Sequence, residues 1–235
     1  MPEPLTHTIF PISDSALTID FGNIIDESTN SKVLSLFRSF QMNPPEGVIE
    51  VVPAYSSLTI YYDVFQISKS IPPDQTVFEW LSWDLQERVQ LPLETNDKDS
   101  RQIEIPVCYE NEFAPDMEGL SARNGISVEE IIHIHCSKQY RVYMLGFLPG
   151  FSYMGEVDER ISLPRKSQPK AVEAGSVGIA GRQTGIYPFS APGGWQIIGR
   201  TPLKLFDPAK EEPTLLRAGD MVRFTSIRKN EFENY

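Results

Sequence analysis

The stretch GWQIIGRT, residues 194–201, has residue types and spacing suited to holding phosphate: two glycines five positions apart, then a basic residue and a hydroxyl. A working phosphate loop follows a buried strand, turns on small residues whose N–H groups face the phosphates, and opens a helix. Here Trp195, Gln196, Ile197 and Ile198 themselves have strand character, and Pro202 is followed by LKLFDP, which alternates like another strand. Arg200 stands where a lysine is expected, and a planar guanidinium is not equivalent there to a compact ammonium. The spacing therefore predicts a strand that delivers Trp195 and Arg200, and not a nucleotide loop.

His133 and His135 raise the question of a metal. On a strand they would share a face, whereas on a helix residues two apart point in different directions. Ser127-Val-Glu-Glu130 reads as a helix-opening capping box, so the helix is preferred and no metal site is expected. His135 lies four residues after Ile131 and seven after Val128, the place of a half-buried histidine with a hydrogen-bond partner. Its functional reading is proton transfer or substrate binding, because imidazole titrates near neutrality. Cys108, in the apolar IPVCY, has no base nearby in sequence, and Ser176, in GSVG, lacks the flanks of a nucleophile elbow. Glycine and aromatic residues crowd LGFLPGFSYMG and IYPFSAPGGWQIIGRT, with Arg165, Gln183, Thr184 and Arg200 close by. Glycine lets a backbone approach a ligand or another chain, and Tyr and Trp add rigid apolar area with a polar tip.

These residues need elements to hold them. SALTIDF alternates with period two and predicts a strand with Leu17, Ile19 and Phe21 on one side. NSKVLSLFRSF repeats Val33, Leu36, Phe37 and Phe40 at helical spacing, and GVIEVVPA and SLTIYYDVF predict two more strands. Thr76-Val-Phe-Glu79 is a second capping box, followed by Val77, Leu81, Leu85 and Val89 at four-residue steps. Strand, helix, strand, strand, helix is most of a ferredoxin-like unit, with RQIEIPV either its last strand or the first strand of the next domain. LPLETNDKDSR, residues 91–101, is polar, without apolar periodicity, and predicts a linker.

Beyond it, ten of the 15 glycines and six of the 19 prolines fall between Gly146 and Pro202. The short runs YRVYMLGF, SVGIAG, WQIIG, LKLF and MVRF predict a largely β sandwich or barrel, interrupted by helices at DMEGLSARNG and after Ser127. Charge divides as well. Lys138 to Lys210 holds 10 basic and 5 acidic residues, a balance of +5 that, with the net charge at −11, leaves −16 to the remainder. Such an acidic chain is poorly suited to nucleic acid or an anionic membrane, and its basic island is a candidate anion site or docking face. MPEPLTHTIF lacks a basic n-region before an apolar stretch, no apolar run approaches a membrane span, and two cysteines are too few for a disulfide framework. A cytoplasmic protein is expected.

The blocks IEIPVCYENEFAPDM, YMLGFLPGFSYMG, LPRKSQPK, AGSVGIAGRQTGIYPFSAPGGWQIIGRT and GDMVRF, with the spacing from His135 to Tyr140, resemble the KipI or PxpB family, also called allophanate hydrolase subunit 1. That family includes the B subunit of the bacterial 5-oxoprolinase. The resemblance runs nearly end to end and implies an α+β protein: a ferredoxin-like α/β domain at 1–95 and a cyclophilin-like β-barrel domain at 96–235. It further implies a non-autonomous enzyme component, inactive alone, acting with a KipA or PxpC-like protein (the C subunit) and a LamB or YcsF-like protein (the A subunit) to convert 5-oxo-L-proline to L-glutamate. ATP would be used by the complex, with or without Mg2+, and no tightly bound cofactor is expected. Other members inhibit a histidine kinase, and fused counterparts form half of a urea-type carboxyltransferase.

On this resemblance Arg165 and Arg200 would hold anionic groups, Ser176, Gln183 and Thr184 would hydrogen-bond the lactam or phosphate, Tyr187 and Trp195 would form an apolar wall, and His135 would orient groups or move a proton. Ser13, Ser152 and Lys170 depart from the family pattern, where Gly, Pro and Arg are usual. At position 170 the charge is kept and the bidentate fork is lost.

Overall fold

The computed structural model describes residues 7–23, 25–90 and 100–235, which form two compact units, one up to residue 99 and one from Ser100 onward. The linker at 91–101 and the boundary at 95/96 fall mostly on residues 91–99, outside the described residues.

The first unit is a four-stranded antiparallel sheet covered on one face by helices. Its elements are β1 (Thr8–Ser13), β2 (Ala16–Asp20), α1 (Glu27–Met42), β3 (Val48–Pro53), β4 (Ser57–Tyr62), α2 (Val64–Ile67) and α3 (Val77–Gln90). The order across the sheet is β1-β2-β4-β3. This is the ferredoxin-like arrangement with one substitution: the edge place beside β2 is filled by the N-terminal β1, not by a strand following α3. RQIEIPV belongs to the other unit.

Local chemistry sets the helices. Asp26 opens α1, its carboxylate accepting the Thr29 N–H at 2.8 Å and the Ser28 hydroxyl at 2.7 Å, and the Ser28 bond, then the Thr29 bond, holds that carboxyl below its ordinary range. The Thr76–Glu79 capping box forms in both directions, with Thr76 N–H on Glu79 at 2.8 Å and Glu79 N–H on the Thr76 hydroxyl at 3.2 Å. Val33, Leu36 and Phe40 of α1 and Leu81 and Leu85 of α3 then bury against Leu17, Ile19, Leu58 and Ile60.

The second unit is a closed seven-stranded barrel. Around the wall run β10 (Gln183–Ile186), β7 (Ser152–Gly155), β6 (Gln139–Leu145), β13 (Met221–Ile227), β5 (Gln102–Cys108), β12 (Gln196–Arg200) and β9 (Ser176–Ala180). Neighbours are antiparallel except β13 and β5, which are parallel. β8 (Lys170–Val172) and β11 (Ala191–Gly193) form a separate ribbon. Alternation sends Ile105, Val107, Val142, Met154, Val177, Ile179, Ile186, Ile198, Val222 and Phe224 into one core with Met117 and Leu120 of α4 (Met117–Asn124) and Ile131 and Ile134 of α5 (Val128–Ser137). Ser127 opens α5 as expected, accepting the Glu130 N–H at 3.2 Å.

One expected strand is absent. Residues 203–206, LKLF, lie between Pro202 and Pro208 and form a loop whose backbone pairs through a bridge from Phe206 to Thr214 and a bond from Leu215 N–H to Leu205 C=O. Leu205 is buried in the core without a ladder. Leu203 and Leu205 produce the alternation there by packing on the core, not by joining a ladder.

Candidate functional site

GWQIIGRT is a strand. β12 covers Gln196–Arg200, no helix follows Thr201, and Arg200 turns its Nε–H to the Ala174 carbonyl at 2.8 Å. That arrangement has no turn of converging N–H groups and no helix dipole, so these residues do not fit the phosphates of ATP, and no chemical step is derived through a nucleotide on this chain.

What the strand does build is an aromatic wall. Outside that core, residues of the barrel wall and its flanking segments, with Val172 of the ribbon, form a second cluster of Phe151, Val172, Ala180, Tyr187, Trp195 and Ile197. Phe151 sits at its centre, edge-on to Tyr187 at 5.0 Å and to Trp195 at 5.4 Å between ring centroids, with Tyr153 at 4.7 Å. Such edge-to-face contacts suit the ring quadrupoles. Two glycines make room for them. A Cβ on Gly185 would sit 3.1 Å from both Phe151 and Trp195, and one on Gly193 would sit 2.7 Å from Cζ of Tyr187 and overlap its hydroxyl oxygen.

Arg165 stands beside this wall. Its Nε lies 3.5 Å from where a Gly194 side chain would begin, and it makes no ion pair with a carboxylate among the described residues. Burial raises the pKa of the Tyr153 and Tyr187 hydroxyls, and the Arg165 charge opposes that rise at both, which places the guanidinium near both phenols. Both hydroxyls are therefore protonated donors at neutral pH. Gln183 opens β10 on the same side as Gly185. Arg165, Tyr187, Trp195 and Gln183 are thus brought to one face.

The other expected site residues lie elsewhere. Ser176 shares the outer side of β9 with Gly178 but pairs in register with Arg200. Arg200 and Trp195 are five residues apart on an extended strand, about 16 Å of chain. Arg200 instead lies over Phe232, at 6.0 Å. Arg165 and Arg200 are therefore two separate cationic positions.

His135 and Thr184 are inside the barrel. His135 is fully buried rather than half-buried, stacked on Phe224 at 4.4 Å, while His133 on the same helix is exposed. Thr184 Oγ1 donates to the Gly178 carbonyl at 3.0 Å, so it accepts from His135 Nε2–H at 3.2 Å. His135 Nδ1 then accepts from the Tyr109 hydroxyl at 2.8 Å, whose oxygen lies 3.5 Å from the Cys136 thiol. Burial lowers the pKa of His135 to about 3, so it is neutral. Burial also raises the thiol of Cys108, which suits packing better than attack.

Asp116 and Lys166 carry no expected role from the sequence, although both lie in the motifs quoted above. Lys166 Nζ is 2.5 Å from Asp116 Oδ2, and the same oxygen accepts the Ile197 N–H at 2.6 Å. Fifty residues separate the pair, and only the barrel register brings them together.

Residues 7–216 match the family described as the carboxyltransferase domain, subdomain C and D. A protein of Bacillus subtilis named as the B subunit of 5-oxoprolinase is 46% identical over 97% of this chain and 96% of its own length. A protein of the same name from Escherichia coli O157:H7 is 37% identical over 91% of this chain and 93% of its own. The crystal structure of TTHA0988 superposes with a TM-score of 0.77 at 36% identity, covering 91% of this chain and 40% of that longer one.

Proposed function

This chain belongs to the carboxyltransferase family of subdomains C and D, and on that premise we propose that it is the B subunit of an ATP-dependent 5-oxoprolinase. Relatives named as that subunit match nearly its whole length. The observation that carries the reading to particular residues is the Arg165 guanidinium, without a carboxylate partner among the described residues, set against an aromatic wall with two protonated phenols.

5-Oxo-L-proline is a small lactam ring bearing a carboxylate. Guanidinium suits a carboxylate because its parallel N–H donors match the two oxygens. Tyr187 and Trp195 offer apolar edges to the ring, and a Tyr hydroxyl or the Gln183 amide offers a donor to the lactam oxygen. A donor aimed at that oxygen strengthens as negative charge grows on it when water attacks the carbonyl. Arg200, at the far end of β12, is a second anion contact to be completed by another protein of the complex. His135, sealed in the barrel, holds the wall's inner side and does not touch substrate. Nucleotide is used in the cytoplasm by the complex with the KipA or PxpC-like and LamB or YcsF-like partners, Mg2+ accompanying it there, and not by a loop of this chain.

Arg165→Ala in the reconstituted enzyme tests the assignment. The expected outcome is a rise in KM for 5-oxoproline of about a hundredfold, the loss of one charge-assisted bidentate contact of about 3 kcal/mol, with the complex still assembled. An unchanged KM would remove Arg165 from the site.

A further inference from the structure

The segment carrying Arg165 is tied to the start of β12 by two direct links and a third through Asp116. Lys166 N–H donates to the Gly194 carbonyl at 2.7 Å, the Gln196 side-chain amide donates to the Pro164 carbonyl at 2.9 Å, and the Lys166 ammonium meets Asp116 at 2.5 Å. Asp116 completes the tie from the other side. Its Oδ2 accepts the Ile197 N–H at 2.6 Å and its own N–H donates to the Ile197 carbonyl at 3.0 Å. One carboxylate at the head of α4 therefore joins the Arg165 segment, the strand that follows Trp195, and a helix start.

Both side chains are mostly covered, with 14% of Lys166 and 17% of Asp116 exposed. A pair so placed is weak evidence for stability, since desolvation offsets much of its attraction and an apolar pair of similar volume often does as well. What it supplies is geometry: Lys166 is turned to Asp116 while its neighbour Arg165 is turned to Gly194 and the phenols. The charge of Lys166 is neutralised in the pair, and that of Arg165 is left to the open face.

We propose that Asp116 and Lys166 are positioning residues that fix the separation between the Arg165 guanidinium and the Trp195 ring, and so the size of ring that a bound carboxylate can carry. This rests on the reading of that face as the 5-oxoproline site. Without the tie, Arg165 and Trp195 remain but no longer hold one spacing, so ground-state binding suffers more than turnover.

The test uses Lys166→Met, Lys166→Arg and Asp116→Asn in the full chain, measured alone and in the reconstituted complex. Lys166→Met is expected to raise KM for 5-oxoproline about tenfold with kcat within about threefold, and Lys166→Arg, which keeps the charge, to recover most of the loss. In the isolated chain, the Trp195 indole N–H resonance, assigned by its disappearance in Trp195→Phe, is expected to shift in Lys166→Met and Asp116→Asn while those of Trp80 and Trp83 stay in place. An unmoved Trp195 resonance overturns the proposal, as does a fall in kcat with KM unchanged. If the wild-type complex shows no 5-oxoproline-dependent turnover, the functional reading fails by itself, and the Trp195 resonance still decides whether the tie exists.

Discussion

His135 shows how one residue type can serve two chemistries. An imidazole near its ordinary pKa moves protons at neutral pH, but this one has both nitrogens engaged and a pKa lowered by burial to about 3. Between about pH 6.5 and 3 the unfolded chain binds a proton at this position that the folded chain does not. Stability is therefore full above about 6.5 and falls as pH drops, by about 1.4 kcal/mol per pH unit, or about 2 kcal/mol from 6.5 to 5. Urea unfolding at those two pH values checks this, and His135→Gln should remove that share of the slope. An identical slope in the variant would contradict the assignment. The sequence placed His135 on the apolar side of a helix with a partner, and did so correctly. It could not show that the partners Tyr109 and Thr184 come from 26 and 49 residues away, nor that Phe224 would seal the ring from water.

At the scale of elements, the glycines and caps decide what the strands can carry. Gly193→Ala would place a methyl carbon 2.7 Å from Cζ of Tyr187, against its hydroxyl oxygen, and Tyr187 is too buried to swing aside. Its expected cost is about 1–3 kcal/mol in urea unfolding, together with a weakened KM for substrate because the phenol moves. Ser127→Ala removes the acceptor for Glu130 N–H at the start of α5 and should cost about 1 kcal/mol with KM unchanged. Elements with strong local signals were legible in the sequence: the Thr76–Glu79 capping box, the Ser127 cap, the Val33–Phe40 stripe, and β12 itself. β1 was not, because Pro11 and mostly exposed side chains give it the look of a loop, and an edge strand tolerates both. LKLF misled for the opposite reason, since alternation without hydrogen-bonding neighbours makes no strand. Arg165 was singled out in the sequence by its type and company, and its place beside the aromatic wall keeps it the residue proposed for the site. Its separation from Arg200 was not, because spacing along a motif says nothing of distance until the motif is known to be extended.

At the scale of the whole molecule, the barrel unit sets the Arg165 cation beside an aromatic wall, and the described residues do not supply a phosphate cradle. On the proposed reading this chain holds a small acid while other proteins of the complex supply the nucleotide, and TTHA0988, two fifths of which this chain covers, carries its matching region within a longer chain. No described helix is long and apolar enough to cross a membrane. The purified chain is mixed with the KipA or PxpC-like and LamB or YcsF-like proteins proposed as its partners, and 5-oxoproline-dependent ATP hydrolysis and glutamate release are followed with this chain present and left out. Both activities are expected in the full mixture, coupled to each other, and neither when this chain is omitted. Undiminished turnover without it, or none with all three present while the chain alone blocks a histidine kinase, would contradict the account.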